Sequence, residues 1–195
     1  MGFGPSGEAA SERRPIEVPD VFADAETIIV PSGSCASMIK LHYEELFAND
    51  AKTLERVHDI TPRVWEFSEF LLNSANLDAL DARFPHKVTY HDSCHALREL
   101  GLKQAPRQLL RRVKDLELIE MEAAEECCGF GGTFSVKFAE LSSKMAQSKA
   151  EAIVNTGAEY VVSIDSSCLM QIEGTLRRAG SPVRAMHLAE VLAAR

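Results

Sequence analysis

The chain has 195 residues, 46% of them hydrophobic, enough for one good core or two small ones. A formal net charge of −8 and the lack of a basic stripe exclude the usual electrostatic route to nucleic acid. No apolar run has the length of a transmembrane segment, and the first residues lack a charged-then-apolar signal pattern. Five cysteines, an odd number, stand in glycine- and serine-rich surroundings. A secreted disulfide framework would be denser and even, so the composition points to the reducing cytoplasm.

Residues 1–21 are rich in Gly, Pro, Ser and charge without periodicity, and read as a flexible or non-native tail. A short strand is expected at 25–30, ending in Pro31-Ser32-Gly33-Ser34-Cys35, then helices at 36–47 and 51–59. The apolar stretch 64–72 ends as a helix, and the polar stretch 73–85 is a boundary. Strands follow at 87–91, 116–121, 158–164 and 183–186. Helices follow at 105–113, 135–155, after Cys168, and at 187–194. Pro106 sits in a first helical turn, where its missing N–H costs little, and Gly157 closes the long helix. The basic stretch from Arg107 to Lys114 reads as a solvated helix face. Alternating strands and helices predict an α/β fold with a parallel sheet of βα repeats, whose chemistry lies at the strands' C-terminal ends.

The sequence repeats itself. Ala25-Glu26-Thr27-Ile28-Ile29-Val30 matches Ala158-Glu159-Tyr160-Val161-Val162-Ser163, and in the same register Ser34-Cys35 matches Ser167-Cys168. Residues 67–71 resemble residues 188–192. The expected organisation is a truncated first unit at 22–80 and a complete second unit at 86–195.

The chemistry centres on Glu125-Glu126-Cys127-Cys128-Gly129-Phe130-Gly131-Gly132-Thr133-Phe134-Ser135. Gly129, Gly131 and Gly132 carry no side chains, so backbone N–H groups can approach a bound group. Thr133 or Ser135 is placed to cap the next helix. Cys94, Cys127, Cys128 and Cys168 each follow an expected strand, so a parallel sheet brings them to one edge. Four soft thiolates match the needs of a [4Fe–4S] cluster. Zinc also takes four cysteines, but two adjacent residues fit one tetrahedral site awkwardly. Blander readings are a vicinal disulfide, or two buried thiols beside an ordinary glycine turn.

Other groups are weaker candidates. His95, beside Cys94, and Ser167, beside Cys168, are polar neighbours for the bound group. A Cys94–His95 nucleophile pair is disfavoured by adjacency. His187 reads as structural, and His42, His58, His86 and His91 show no convergent spacing. The glycine run lacks the spacing of a phosphate loop. Glu120, Glu122, Glu125 and Glu126 form a solvated edge or a docking face for a basic redox partner.

These residues resemble the cysteine-rich CCG domain found in heterodisulfide reductase and in the iron–sulfur subunit of glycolate oxidase. The stretches 91–95, 127–137, 168–170 and 186–192 are most similar to the lactate-utilization protein A family. Pro31-Ser32-Gly33-Ser34-Cys35 resembles the end of that family's first CCG unit. The resemblance implies an electron-transfer role in oxidising L-lactate to pyruvate, not catalysis by this chain alone. It also implies two other lactate-utilization subunits, one with further iron–sulfur clusters. The fullest form of the motif ends Cys-x-x-Cys, and here Gln171 stands in the last position. The rival readings are a scaffold with an empty cysteine site and a thiol–disulfide protein.

Overall fold

The computed structural model describes residues 18–74, 77 and 80–195. Most of the stretch expected as a tail lies outside the described residues. Two parallel sheets form the frame. The smaller pairs β1 (Ile28–Val30) with β2 (Val64–Glu66), Ile28 lying beside Val64. The larger has the order β4-β3-β5-β6, built from β3 (Lys87–Tyr90), β4 (Glu117–Leu118), β5 (Tyr160–Ser163) and β6 (Arg184–His187). β1, β3, β5 and β6 lie where the alternation predicts strands, β4 keeps only two residues of its apolar stretch, and β2 is not among the expected strands. The stretch at 64–72 divides into β2 and a helix.

Helices link these strands. In chain order they are α1 (Val18–Val21), α2 (Gly33–Ser37), α3 (Tyr43–Leu46), α4 (Ala51–Ile60), α5 (Phe67–Ser74), α6 (Cys94–Arg98), α7 (Gln104–Leu110), α8 (Thr133–Lys137), α9 (Ala139–Asn155), α10 (Ser166–Arg178) and α11 (Leu188–Leu192). Caps set several starts. The Asp50 side chain accepts from the Thr53 N–H at 3.1 Å, and His187 forms a capping box with Glu190. The helix expected at 36–47 runs unbroken from Gly33 to Leu46, with a wider π-helical segment, Met38–His42, between α2 and α3. The long helix expected at 135–155 starts earlier and breaks at Phe138, whose φ of −126° and ψ of 51° leave the helical region. Neither Thr133 nor Ser135 caps α8: Gly132 occupies that place, and the Ser135 hydroxyl donates to the Gly132 carbonyl at 2.7 Å.

The larger sheet is buried on both faces, as parallel sheets are. Val88, Tyr90, Val162 and Ile164 meet Leu109 and Leu110 of α7 and Val191 of α11 on one side. Val161 meets Ile153 of α9 and Ile172 and Leu176 of α10 on the other. On α9, Ser142, Ala146, Lys149, Ala150 and Ile153 form its buried stripe, three or four residues apart. The smaller sheet has a thinner core of Ile28, Ile39, Ile60 and Val64, with Val18 and Tyr43 against it. The matching stretches occupy like positions: β1 pairs with β2 as β5 pairs with β6, each preceding a helix that carries a Ser-Cys pair.

One basic residue is not where its helical spacing suggests. Arg107 is buried on α7, not solvated. It donates from Nη1 and Nη2 to both Asp92 oxygens at 2.7 and 2.8 Å, and from Nε to Glu120 at 2.8 Å. Its guanidinium also lies 5.0 Å from the centroid of the Tyr90 ring. The fork clamps the turn after β3 to the segment after β4. Glu120, Glu122, Glu125 and Glu126 are exposed, as an acidic edge requires, with Glu120 paired to Arg107 and Glu125 to Lys103.

Two expectations follow. Arg107→Met leaves the Asp92 carboxylate buried without its cation, and should lower stability by about 3–5 kcal/mol. Arg111→Ala, whose guanidinium is exposed and 4.0 Å from Glu120, should cost no more than about 1 kcal/mol. Denaturant unfolding of both variants checks the contrast. The two-stranded sheet has an exposed Ile29, and among the described residues β1 pairs on one side only. Hydrogen exchange should therefore be faster across Ile28–Val30 than across Tyr160–Ser163. Equal protection of the two segments would show that the smaller core is as stable as the larger.

Candidate metal centre

The parallel sheet delivers strand ends to one edge, and the cysteines gather there. Cys94 opens α6 just beyond β3. Cys168 lies in the first turn of α10, just beyond β5. Cys127 and Cys128 lie on the segment between β4 and α8. All five cysteines of the chain are free, so no vicinal disulfide joins the pair. Cys128 and Cys168 are buried, and Cys94 and Cys127 are half-buried.

The four sulfurs form one connected row. Cys94 is close enough to Cys127 to perturb its ionisation, as Cys127 is to Cys128 and Cys128 to Cys168. The row settles its charge unevenly. Hydrogen bonds from Cys128 and Cys94, and from the Gly129 N–H at 3.4 Å, hold the Cys127 thiol far below its ordinary range. Its neighbours shift the opposite way. Cys94 is pushed up by its bond to Cys127 and then by burial, and Cys128 by its bonds to Cys127 and Cys168 and then by burial. Negative charge on the sulfurs is thus favoured at Cys127 over Cys94 and Cys128.

The segment bearing the pair is held by its own backbone and by α9. Gly129 has φ of +82°, and an added Cβ would lie 2.6 Å from the Ser142 carbonyl oxygen. Glycine is needed there both for its conformation and for close contact with α9. Ser142 returns the contact by donating its hydroxyl to the Gly129 carbonyl at 2.7 Å, and Gln171 donates to that hydroxyl at 3.2 Å. Gly131 and Gly132 have φ of +52° and +54° and form the exposed turn into α8. Lys149 is buried beneath this segment, and its ammonium donates to the carbonyls of Ala123 and Ala124. Ala123 has φ of +55°, a strained value for a residue with a Cβ. Burial lowers the Lys149 pKa, while the charges of Glu126, Cys128, Asp92 and Cys127 oppose that shift.

Of the polar candidates beside the cysteines, His95 is exposed, with Nδ1 3.6 Å from the Cys94 sulfur. The Ser167 hydroxyl donates to Asp165 at 2.8 Å, within the turn that starts α10. Asp165 also accepts from the Ser93 hydroxyl at 3.1 Å and the Ser34 N–H at 2.9 Å. It thus ties α2, α6 and α10 together. Cys35 is exposed on α2, outside the row of four. His187 caps α11, its Nδ1 accepting from the Ala189 N–H at 3.1 Å.

His91 is the residue that spacing hid. It is fully buried, and its ring lies against Cys128 and Cys168, with one donor atom from each of the three within 4.8 Å of the others. Neither ring nitrogen has a hydrogen-bond partner among the described residues. Burial, and then the charge of Lys149, push its pKa down to about 3, so the ring is neutral. The sequence signal available was its place at the end of β3, three residues before Cys94. A single histidine without a partner at metal-ligand spacing gives no further hint.

Comparison with known proteins places this centre in a family. The model of the CCG family, described as "Cysteine-rich domain", matches residues 88–173, which contain all four clustered cysteines. The chain is 44% identical over 171 residues to "Lactate utilization protein A" of Geobacillus thermodenitrificans, covering 88% of this chain and 71% of that protein. It is 43% identical over 171 residues to the protein of the same name from Anoxybacillus flavithermus, with the same coverage. With that of Macrococcus caseolyticus the identity is 42%, over 88% of this chain and 69% of the relative. At this identity, over more than two thirds of each relative, the chain belongs to the lactate utilization protein A family.

Proposed function

We propose that the chain is the electron-transfer subunit of a complex that oxidises L-lactate to pyruvate, with one [4Fe–4S] cluster held by Cys94, Cys127, Cys128 and Cys168. The observation that carries this reading is the continuous row of four sulfurs drawn from three separate loops. The relatives' name supplies the fuel. The donor set fits the group: the thiols are soft and neighbouring, and they have no disulfide to break. Adjacent Cys127 and Cys128 suit a guest with several metal atoms better than a single tetrahedral ion.

Such a cluster takes up and releases single electrons when bound. The chain's residues supply its setting. Cys94, Cys127, Cys128 and Cys168 would hold it as thiolates, and the lowered pKa of Cys127 favours that form there. The Gly129 N–H, already 3.4 Å from the Cys127 sulfur, stabilises negative charge there. The Lys149 ammonium places a buried positive charge behind the same segment. Half-buried Cys94 and Cys127 leave the row open toward solvent on one side, the side from which a redox partner approaches. The partners are the other two lactate-utilization subunits, one bearing further iron–sulfur clusters. The compartment is the cytoplasm, where five free thiols persist. Among the described residues no helix is long and apolar enough to cross a membrane.

Anaerobic purification with iron, sulfide and zinc analysis tests the reading. A brown protein with iron and sulfide near four of each supports it. Metal-free protein that still binds its partners would replace it with a scaffold role, and reversible loss of two thiols with a thiol–disulfide role. Cys128→Ser should lose most of the iron, whereas Cys35→Ser should keep nearly all of it. Equal losses would reject this ligand set. Lys149→Met removes a supporting contact without removing a sulfur. It should weaken iron retention by about tenfold to a hundredfold, read as the rate of iron loss to a chelator.

A further inference from the structure

The His91 ring has no task in the fold that would explain its place. A buried polar atom normally finds a partner, and both of its nitrogens lack one among the described residues. The backbone that carries the ring is held on both sides. The His91 N–H donates to the Val162 carbonyl at 2.9 Å, and its own carbonyl accepts from the Ser163 hydroxyl at 3.0 Å. The side chain therefore leaves a strand end locked to β5, and it is fully buried.

The surrounding polar groups are already engaged. Asp165 accepts from Ser34, Ser93 and Ser167, and the Lys149 ammonium is spent on two carbonyls. What the imidazole faces is sulfur: its donor atom, Cys128 Sγ and Cys168 Sγ all lie within 4.8 Å of one another, and all three residues are buried. Imidazole and thiolate donors at such a separation can bind one metal atom or neighbouring atoms of a small cluster. A hydrophobic side chain would fill the same volume without leaving two nitrogens unpartnered, so the histidine marks a ligand-shaped position.

Resting on the cluster reading above, we propose that His91 is a further ligand of the centre, its imidazole bound to iron beside Cys128 and Cys168. An imidazole nitrogen added to the sulfur donors alters the electronic character of the iron it binds. Imidazole is neutral where thiolate is anionic, so the bound iron is more easily reduced, as where histidines replace cysteines in other iron–sulfur centres.

The test uses the full chain, prepared anaerobically with and without 15N-labelled histidine, and pulsed electron paramagnetic resonance of the cluster in its paramagnetic state. The expected result is a histidine-nitrogen coupling in the wild type that changes with the isotope. It should persist in His95→Gln and vanish in His91→Cys. The His91→Cys protein should keep its iron and sulfide but show a lower reduction potential. The wild-type isotope comparison needs no variant, so it decides the matter even if His91→Cys misfolds. A cluster at full iron content with no histidine coupling would overturn His91 ligation while leaving the four-cysteine reading intact. A coupling that vanishes with His95 instead would overturn it too. A wild-type chain that takes up no iron would overturn both.

Discussion

A parallel sheet turns the C-terminal ends of its strands toward one edge, and the cysteine site depends on that geometry. β3, β4 and β5 are hydrogen-bonded in a row, so the loops leaving them are neighbours although their residues are distant in sequence. Each loop brings what the others lack: one cysteine at the start of α6, an adjacent pair before α8, and one cysteine in the first turn of α10. The large core below fixes the strand ends, with Val88, Val161 and Val162 fully buried. The sulfur row therefore inherits its spacing from the hydrogen-bond ladder and does not need short-range motif spacing.

Gathering such polar loops requires that their charges be answered from within. Three buried ionic or polar anchors serve the edge. Arg107 closes on Asp92 and Glu120, Asp165 gathers Ser34, Ser93 and Ser167, and Lys149 binds two carbonyls of the cysteine segment. Each anchor joins segments from different parts of the chain. The edge is accordingly a network of charge-assisted bonds laid over an apolar base. Such bonds are individually stronger than neutral ones and fix direction as well as distance. That suits a site whose donors must keep their relative positions.

The cysteine cluster is legible in the sequence because its residue type is rare and because alternating strands and helices imply a parallel sheet. Cys94, Cys127, Cys128 and Cys168 need only that topology to be placed together. Arg107 misleads because helical spacing reports periodicity, not which face the periodicity presents. Its partner Asp92 lies on another element, and charge pairing across elements leaves no local trace. Lys149 and His91 are hidden for a related reason. Each is a lone polar residue within an ordinary helix or at a strand end, and only the packed neighbours give it meaning. The break at Phe138 has no sequence signal, because no proline or glycine marks it. Phe138 instead leaves the helical region between α8 and α9 with its ring 5.5 Å from that of Phe134.

Lys149 does two things with one ammonium group, and they cannot be separated. Its bonds hold the Ala123 and Ala124 carbonyls, and so the backbone leading to the cysteine pair. Its positive charge also lies near Cys127 and Cys128. Negative charge gathered at the sulfurs favours the ammonium form, and the ammonium form favours the bent backbone that carries the sulfurs. By thermodynamic reciprocity the shape of the segment and the charge in the site stabilise each other. Ala123, held at φ of +55°, is the residue on which this reciprocity acts. A site emptied of anionic charge weakens the hold on a strained backbone, and a relaxed backbone scatters the donors. Charge at the sulfurs and order in the backbone leading to them are thus linked through a residue that need not touch sulfur.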